Sequence, residues 1–232
     1  GRGRSAARGV LGSLKGQRAV IDTPLLLDFL GPDSSSGTIR TLIDGAIAAS
    51  MEVIVPDHVL EELMDVVDRL TDQFIPGLMG ALGSGTGAHA YAQTVNEQAL
   101  ELFLTATEAG VYSRWDQFVA RARSLRSELT SLGVTVRPHE NRDRGNVAWI
   151  DQELTAETRK SPIPRTPKAV ARDAESIELV WRARRRFNRK KGALWPGGWL
   201  ISTDRRINAA YRRLSANDPN PLVLTQRNGQ PS

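Results

Sequence analysis

The sequence predicts an α/β fold, a central parallel sheet of about five strands sandwiched by helices. Three observations predict it. Short apolar runs at Arg18–Thr23, Glu52–Pro56, Val134–Pro138, Gly198–Thr203 and Pro221–Thr225 alternate with segments of helical periodicity. The best of these runs are continuously apolar, as strands covered on both faces are. Two of them lead into an aspartate, Asp22 after "AVI" and Asp204 after "WLIST".

In chain order, residues 1–17 form a basic, Gly- and Arg-rich N-terminal arm. The first strand, Arg18–Thr23, leads into a helix with Pro24 in its first turn and Thr23 as its cap. "GPDSSSG" (Gly31–Gly37) reads as a loop. Ile39, Leu42, Ile43, Ala46 and Ile47 give the helix Thr38–Ser50 its apolar stripe. The β-branched strand Glu52–Pro56 opens the helix Pro56–Leu70, which carries acids in its first turns. Ile75–Ala90 is Gly-rich, lacks the Lys-Ser/Thr of a phosphate loop and follows a helix, so it reads as a flexible connection. Two helices (Tyr91–Gly110, Tyr112–Gly133), a strand, a short helix (Asn146–Lys160) and an extended linker (Ser161–Pro167) follow. The most periodic helix is Lys168–Phe187, with Val170, Ala174, Ile177, Val180 and Trp181 on its stripe. Strand, helix (Asp204–Leu214) and strand end the pattern. The expected organisation is one domain over 18–225 with a helical insertion at about 71–133, and a tail at 226–232.

With 232 residues, of which 40% are hydrophobic and 25% charged, the chain can bury a sizeable core. It has no Cys, which excludes disulfides, thiolate zinc sites and cysteine nucleophiles and fits a cytoplasmic location. No run of about 18 apolar residues is present, so no membrane span is expected. Charge is unevenly spread. Residues 19–117 carry 3 basic and 15 acidic side chains, whereas 118–232 carry 23 basic and 11 acidic. An acidic centre beside a basic surface would produce this, as would two halves of one fold that attract each other.

Four acids are hard to explain as surface residues. Asp22 and Asp204 sit at the carboxyl ends of strands, where open parallel sheets bind ligands at a switch point. Either could instead cap the helix after it. Asp173 lies on the apolar stripe of its helix, three residues after Val170 and four before Ile177. Glu62 holds the matching position between Val59 and Val66, while Glu61, Glu175 and Glu178 point off the stripes toward solvent. Carboxylates that share a crevice need a counter-charge, and a hard divalent cation, Mg²⁺ or Mn²⁺, supplies one. The three His (His58, His89, His139) show no HxH or HExxH spacing, and His58 reads as a surface residue at a helix start.

The order of these motifs resembles the PIN-like nuclease family. "AVIDTPLLLDF" is similar to its opening strand and first acid, "VIVPDHVLEEL" to its second strand and Glu-bearing helix, "RDAESIELVWRA" to the helix with the third acid, and "WLISTDRRI" to the strand ending in Ser/Thr-x-Asp. The resemblance implies a PIN-like sheet, metal-dependent hydrolysis of RNA, and Asp22, Glu62, Asp173 and Asp204 as catalytic, metal-binding acids. It implies Ser202 as the hydroxyl that supports the last acid.

An acidic centre repels RNA, so a basic rim is expected. "RARRRFNRKK" supplies Arg182, Arg184, Arg185, Arg186, Arg189, Lys190 and Lys191 as candidate phosphate contacts, or as a solvated helix end. The expected partner is RNA, single-stranded in preference, with a homodimer or a regulatory protein also open. The rival reading is a catalytically weak PIN-like module that binds RNA or a protein through its basic face.

Overall fold

The computed structural model describes residues 14–82, 87–95, 97–138, 144–160, 165–191, 197–204, 206–207, 209–210 and 223–224. Most of the arm, the tail, the linker at 161–164 and most of the segment after Asp204 lie outside the described residues.

The molecule is α/β, with a small parallel sheet and a larger share of helix. Its strands are β1 (Arg18–Ile21), β2 (Glu52–Pro56), β3 (Thr135–Arg137), β4 (Gly198–Ile201) and the two-residue β5 (Val223–Leu224). The order across the sheet is β3-β2-β1-β4-β5, and every neighbouring pair is parallel. The chain therefore builds outward from β1 to β3, then returns to place β4 on the other side of β1. The switch point falls between β1 and β4, and the crevice of such a sheet opens at their carboxyl ends.

Alternation along the strands divides the interior in two. Ala19, Ile21, Val53, Val55 and Ile201 face one core, and Val20, Ile54 and Leu200 face the other. The first core is closed by α1 (Thr23–Leu30), α2 (Asp33–Ala48), α3 (Asp57–Gln73), α4 (Ile75–Leu82), α5 (Gly87–Val95), α6 (Gln98–Glu108) and α7 (Trp115–Ser131). The second is closed by α8 (Arg144–Thr158) and α9 (Pro167–Lys191). Both faces are covered, which is why these strands carry so few polar residues.

Three local readings change. The helix expected from Thr38 begins at Asp33, because Pro32 fixes an extended φ of −64° and ψ of 166° ahead of it and Asp33 favours the first turn. Asp22, rather than Thr23, caps α1, and Pro24 falls in the first turn as expected. The Gly-rich stretch forms α4 and α5 on either side of residues 83–86. Gly77 sits in close packing there: a Cβ on it would come within 2.5 Å of the Tyr91 hydroxyl. Gly198 works in the same way where β4 meets α9, since a Cβ there would lie 3.0 Å from the Val180 carbonyl oxygen.

Among the described residues no helix is long and apolar enough to cross a membrane.

Candidate functional site

Asp22 leaves the end of β1 and its backbone N–H donates to the Ile201 carbonyl of β4 at 3.2 Å, which anchors it over the switch point. Its side chain is buried, with 3% of the residue exposed. Oδ1 accepts the Thr23 N–H at 2.9 Å, so the capping role is real. Oδ2 accepts the Ser202 hydroxyl at 2.5 Å. Ser202 in turn accepts the Asp204 N–H at 3.0 Å, so one buried hydroxyl ties the first acid to the last.

Glu62 projects from α3 toward the same place. Its Oε2 accepts the Thr23 hydroxyl at 2.6 Å, so Thr23 links Asp22 and Glu62 through its backbone and side chain. Asp173 arrives from α9, on the stripe with Val170 and Ile177, and is 3% exposed. Asp204 caps the segment after β4: its Oδ1 accepts the Arg206 N–H at 2.8 Å, and the Arg206 guanidinium closes on both oxygens.

A residue in none of the four motifs completes the arrangement. Arg165, just before α9, sends its guanidinium between Asp173 and Asp204. Nη1 pairs with Asp173 Oδ2 and stands 3.3 Å from Asp204 Oδ2. It also feels the charges of Glu62 and Asp22. The four acids thus share one electrostatic neighbourhood, with a cation inside it.

The proton affinities follow from this geometry. Burial pushes the Asp22 carboxyl up to about 6, and the nearby Glu62 charge adds to that, against the pull of Ser202, Thr23 and Arg165. Burial raises Asp173 well above the usual carboxylate range, and Arg165 only partly offsets the effect. Burial would raise Asp204 as well, but the Arg206 hydrogen bonds and the Arg165 charge outweigh it and hold Asp204 low. For Arg165 itself, burial opposes the charge, yet Asp173, Asp204, Glu62 and Asp22 together raise its proton affinity and keep it cationic. These are the signs of a centre short of positive charge.

The donor chemistry suits a hard divalent cation, because every donor aimed inward is a carboxylate or hydroxyl oxygen. The oxygens do not stand ready as a cage, however: among the described residues no three His, Asp or Glu have metal-binding geometry. Beside the centre lies a cleft of about 510 Å³ lined by Glu62, Asp65, Arg69, Arg165, Lys168 and Arg172, among others. Lys168 and Arg172 both bind the single carboxylate of Asp65, at 2.7 and 2.8 Å.

No family model, curated protein or solved structure matches this chain. The functional reading therefore stands on the geometry and on the motif resemblance.

The expected basic rim is only partly in view. Arg184 is buried at 4% exposure, and its Nε–H donates to the Gly198 carbonyl at 2.9 Å, so it braces β4 rather than facing solvent. Arg182 pairs with the buried Glu178 one helical turn back at 2.9 Å. The side chains of Arg185, Arg186, Arg189, Lys190 and Lys191 lie outside the described residues. His58 is a correction: it is 7% exposed, with Nε2 2.9 Å from the Ser176 hydroxyl and Nδ1 3.3 Å from Glu175. Glu175 and Glu178 also turn inward, because α9 is covered on more of its circumference than its apolar stripe suggests. Glu61 does face solvent.

Sequence reasoning missed Thr23, Arg165 and Arg206. Thr23 and Arg206 carried a weak signal, since each lies within two residues of a candidate acid. Arg165 carried none, because it sits in an aperiodic Pro-rich linker whose path is set by tertiary packing.

Proposed function

We propose that the chain is a PIN-like, metal-dependent endoribonuclease that hydrolyses phosphodiester bonds in single-stranded RNA. The observation that carries this reading is the linkage of Asp22, Glu62, Asp173 and Asp204, from four separate segments, through Thr23, Ser202 and Arg165 at the carboxyl ends of β1 and β4. Structural ion pairs do not require four acids around one arginine, and buried acids with raised proton affinity concentrate at functional sites.

In this reading the four carboxylates would hold Mg²⁺ or Mn²⁺. The ion, when bound, would activate a water for attack and take up charge at the phosphate. The protein's part is positional. Ser202 and the Thr23 N–H fix the Asp22 carboxylate from behind, and Ser202 fixes the backbone of Asp204 through the same oxygen. Thr23 holds Glu62 by Oε2, leaving Oε1 as the atom to orient the attacking water and accept its proton. Lys168 and Arg172 on α9, which share one carboxylate, line the cleft and would meet an RNA phosphate entering by it.

Labelled single-stranded RNA incubated with Mn²⁺ or Mg²⁺ tests the proposal. Cleavage is expected from the wild-type chain and is expected to fall by about two orders of magnitude or more in Asp22→Asn and Asp204→Asn. No cleavage by the wild type, or cleavage unchanged in both variants, overturns it. The rival, a PIN-like module that binds RNA or a protein without cutting, draws on one observation, the arginine that already pairs with two of the four acids. Salt-sensitive RNA binding without cleavage at any Mn²⁺ concentration would favour it.

A further inference from the structure

Arg165 stands where the proposed metal would have to act, and the two cations make opposing demands. The guanidinium takes Asp173 Oδ2 directly and lies 3.3 Å from Asp204 Oδ2. A divalent ion held by the same carboxylates would sit within a few ångströms of a fixed positive charge, a repulsion that water only partly screens at a buried centre. A metal on Asp173 Oδ2 would have to share or take the oxygen that the guanidinium holds. Among the described residues no three carboxylates are arranged for a metal, and the Arg206 guanidinium also rests on both oxygens of Asp204.

We infer that Arg165 is a resident counter-ion of the carboxylate centre, one that a divalent metal must displace before the site can work. The inference rests on the nuclease reading and adds a control element to it.

Three features make the exchange feasible. Arg165 precedes α9 rather than lying within it, so its side chain can move without unwinding a helix. Its side chain is 18% exposed, at the boundary between the centre and solvent. It also lines the 510 Å³ cleft, so a guanidinium drawn off Asp173 has open water beside it. The exchange needs only side-chain rotation, and charge is compensated throughout: one cation leaves as another arrives. A metal-free chain would therefore hold Asp173 and Asp204 paired with Arg165 and its site closed. The cost of opening would appear as weaker apparent metal affinity.

The test is Mn²⁺ binding without RNA, followed by the electron paramagnetic resonance of free Mn²⁺ and by calorimetry, on the wild-type chain, Arg165→Met and Arg165→Lys. Methionine keeps much of the apolar stem and drops the charge, whereas lysine keeps the charge. Arg165→Met is expected to bind Mn²⁺ about tenfold more tightly than wild type, and Arg165→Lys within about threefold of it. Circular dichroism reports folding, since loss of the counter-ion leaves four acids facing one another. An Arg165→Met chain that is unfolded alone and refolded by Mn²⁺ supports the inference. One that stays unfolded with Mn²⁺ overturns it, as does equal or weaker binding by a folded Arg165→Met. RNA cleavage by the wild type, measured in parallel, separates the two ideas. Cleavage with unchanged Mn²⁺ affinity in Arg165→Met removes the exchange and leaves the nuclease. Absence of Mn²⁺ binding in all three chains removes both.

Discussion

The aromatic cluster of α6 and α7 and the carboxylate centre at the ends of β1 and β4 are both buried, and burial acts oppositely in the two places. In the first, Phe103, Tyr112, Trp115 and Phe118 pack with ring centroids 4.9–6.5 Å apart. Removing these surfaces from water stabilises the fold, and the rings gain further from edge-to-face contact. The polar tips in the cluster are satisfied: Tyr112 donates to the Leu30 carbonyl at 2.7 Å, and Trp115 Nε1 donates to the Thr71 hydroxyl at 2.8 Å. At the carboxylate centre, burial costs free energy. Asp22 and Asp173 are raised in proton affinity because the interior disfavours their charge, and the nearby Arg165 does not cancel the whole effect. One region is there to hold the molecule together. The other is a local weakness that the rest of the fold supports, which is what the proposed chemistry would require of it.

That contrast can be broken by mutation. The largest effect is expected at Phe118, fully buried in the cluster. Phe118→Ala should destabilise the chain by about 3–5 kcal/mol, measured by urea unfolding, without weakening Mn²⁺ binding by the protein that remains folded. Equal losses of stability and metal binding would show that the two regions are not separable.

A smaller effect of opposite sign is expected at Asp22. Its carboxyl titrates at about 6 in the folded, metal-free chain against 3.8 as its ordinary value. Between those values the folded state holds more protons than the unfolded state, so this group's contribution falls as pH rises through that window. Above it, the buried charge costs about 3 kcal/mol. With a chelator present, Asp22→Asn should raise stability at neutral pH by about 1–3 kcal/mol and flatten the decline between about pH 4 and 6. A destabilised Asp22→Asn chain with the same pH profile as wild type would refute the comparison.

Two finer tests follow. Tyr112→Phe leaves the ring packing and removes the hydroxyl that donates to Leu30 and accepts from Arg121 at 3.0 Å. A loss of about 1 kcal/mol is expected in thermal unfolding. Lys168→Ala breaks an exposed pair with Asp65, a carboxylate that Arg172 also holds, and should change stability by less than about 0.5 kcal/mol. It should nevertheless weaken RNA binding and lower its salt dependence if the cleft admits the backbone. Unchanged RNA binding in Lys168→Ala would move the substrate path to another face.

Much of the fold and of the carboxylate centre is legible in the amino-acid sequence. The β1, β2 and β4 runs are apolar at nearly every position because both faces of the sheet are covered. Asp22 and Asp204 stand out because a charge at the end of such a run must meet something. Asp173 and Glu62 stand out because they interrupt apolar stripes. Periodicity fails where a helix is buried on more than one side. Glu178 lies off the stripe of α9 and is buried all the same, while Arg184 lies in a basic run and braces β4. It fails also at Ile75–Ala90, where Gly77, which looks like flexible punctuation, lies within a helix packed against Tyr91 of the next.

The sequence by itself determined the layered α/β plan, the strand ends and the four acids, because these follow from local alternation and from the cost of burying charge. Only the tertiary structure decided what those acids face. Arg165 reaches Asp173 from eight residues before it in the chain, and Asp204 from 39 positions before it. Ser202 joins Asp22 to Asp204 although Asp22 and Ser202 are 180 positions apart. Such contacts depend on the order in which strands are laid beside one another, and no local pattern of residues encodes that order.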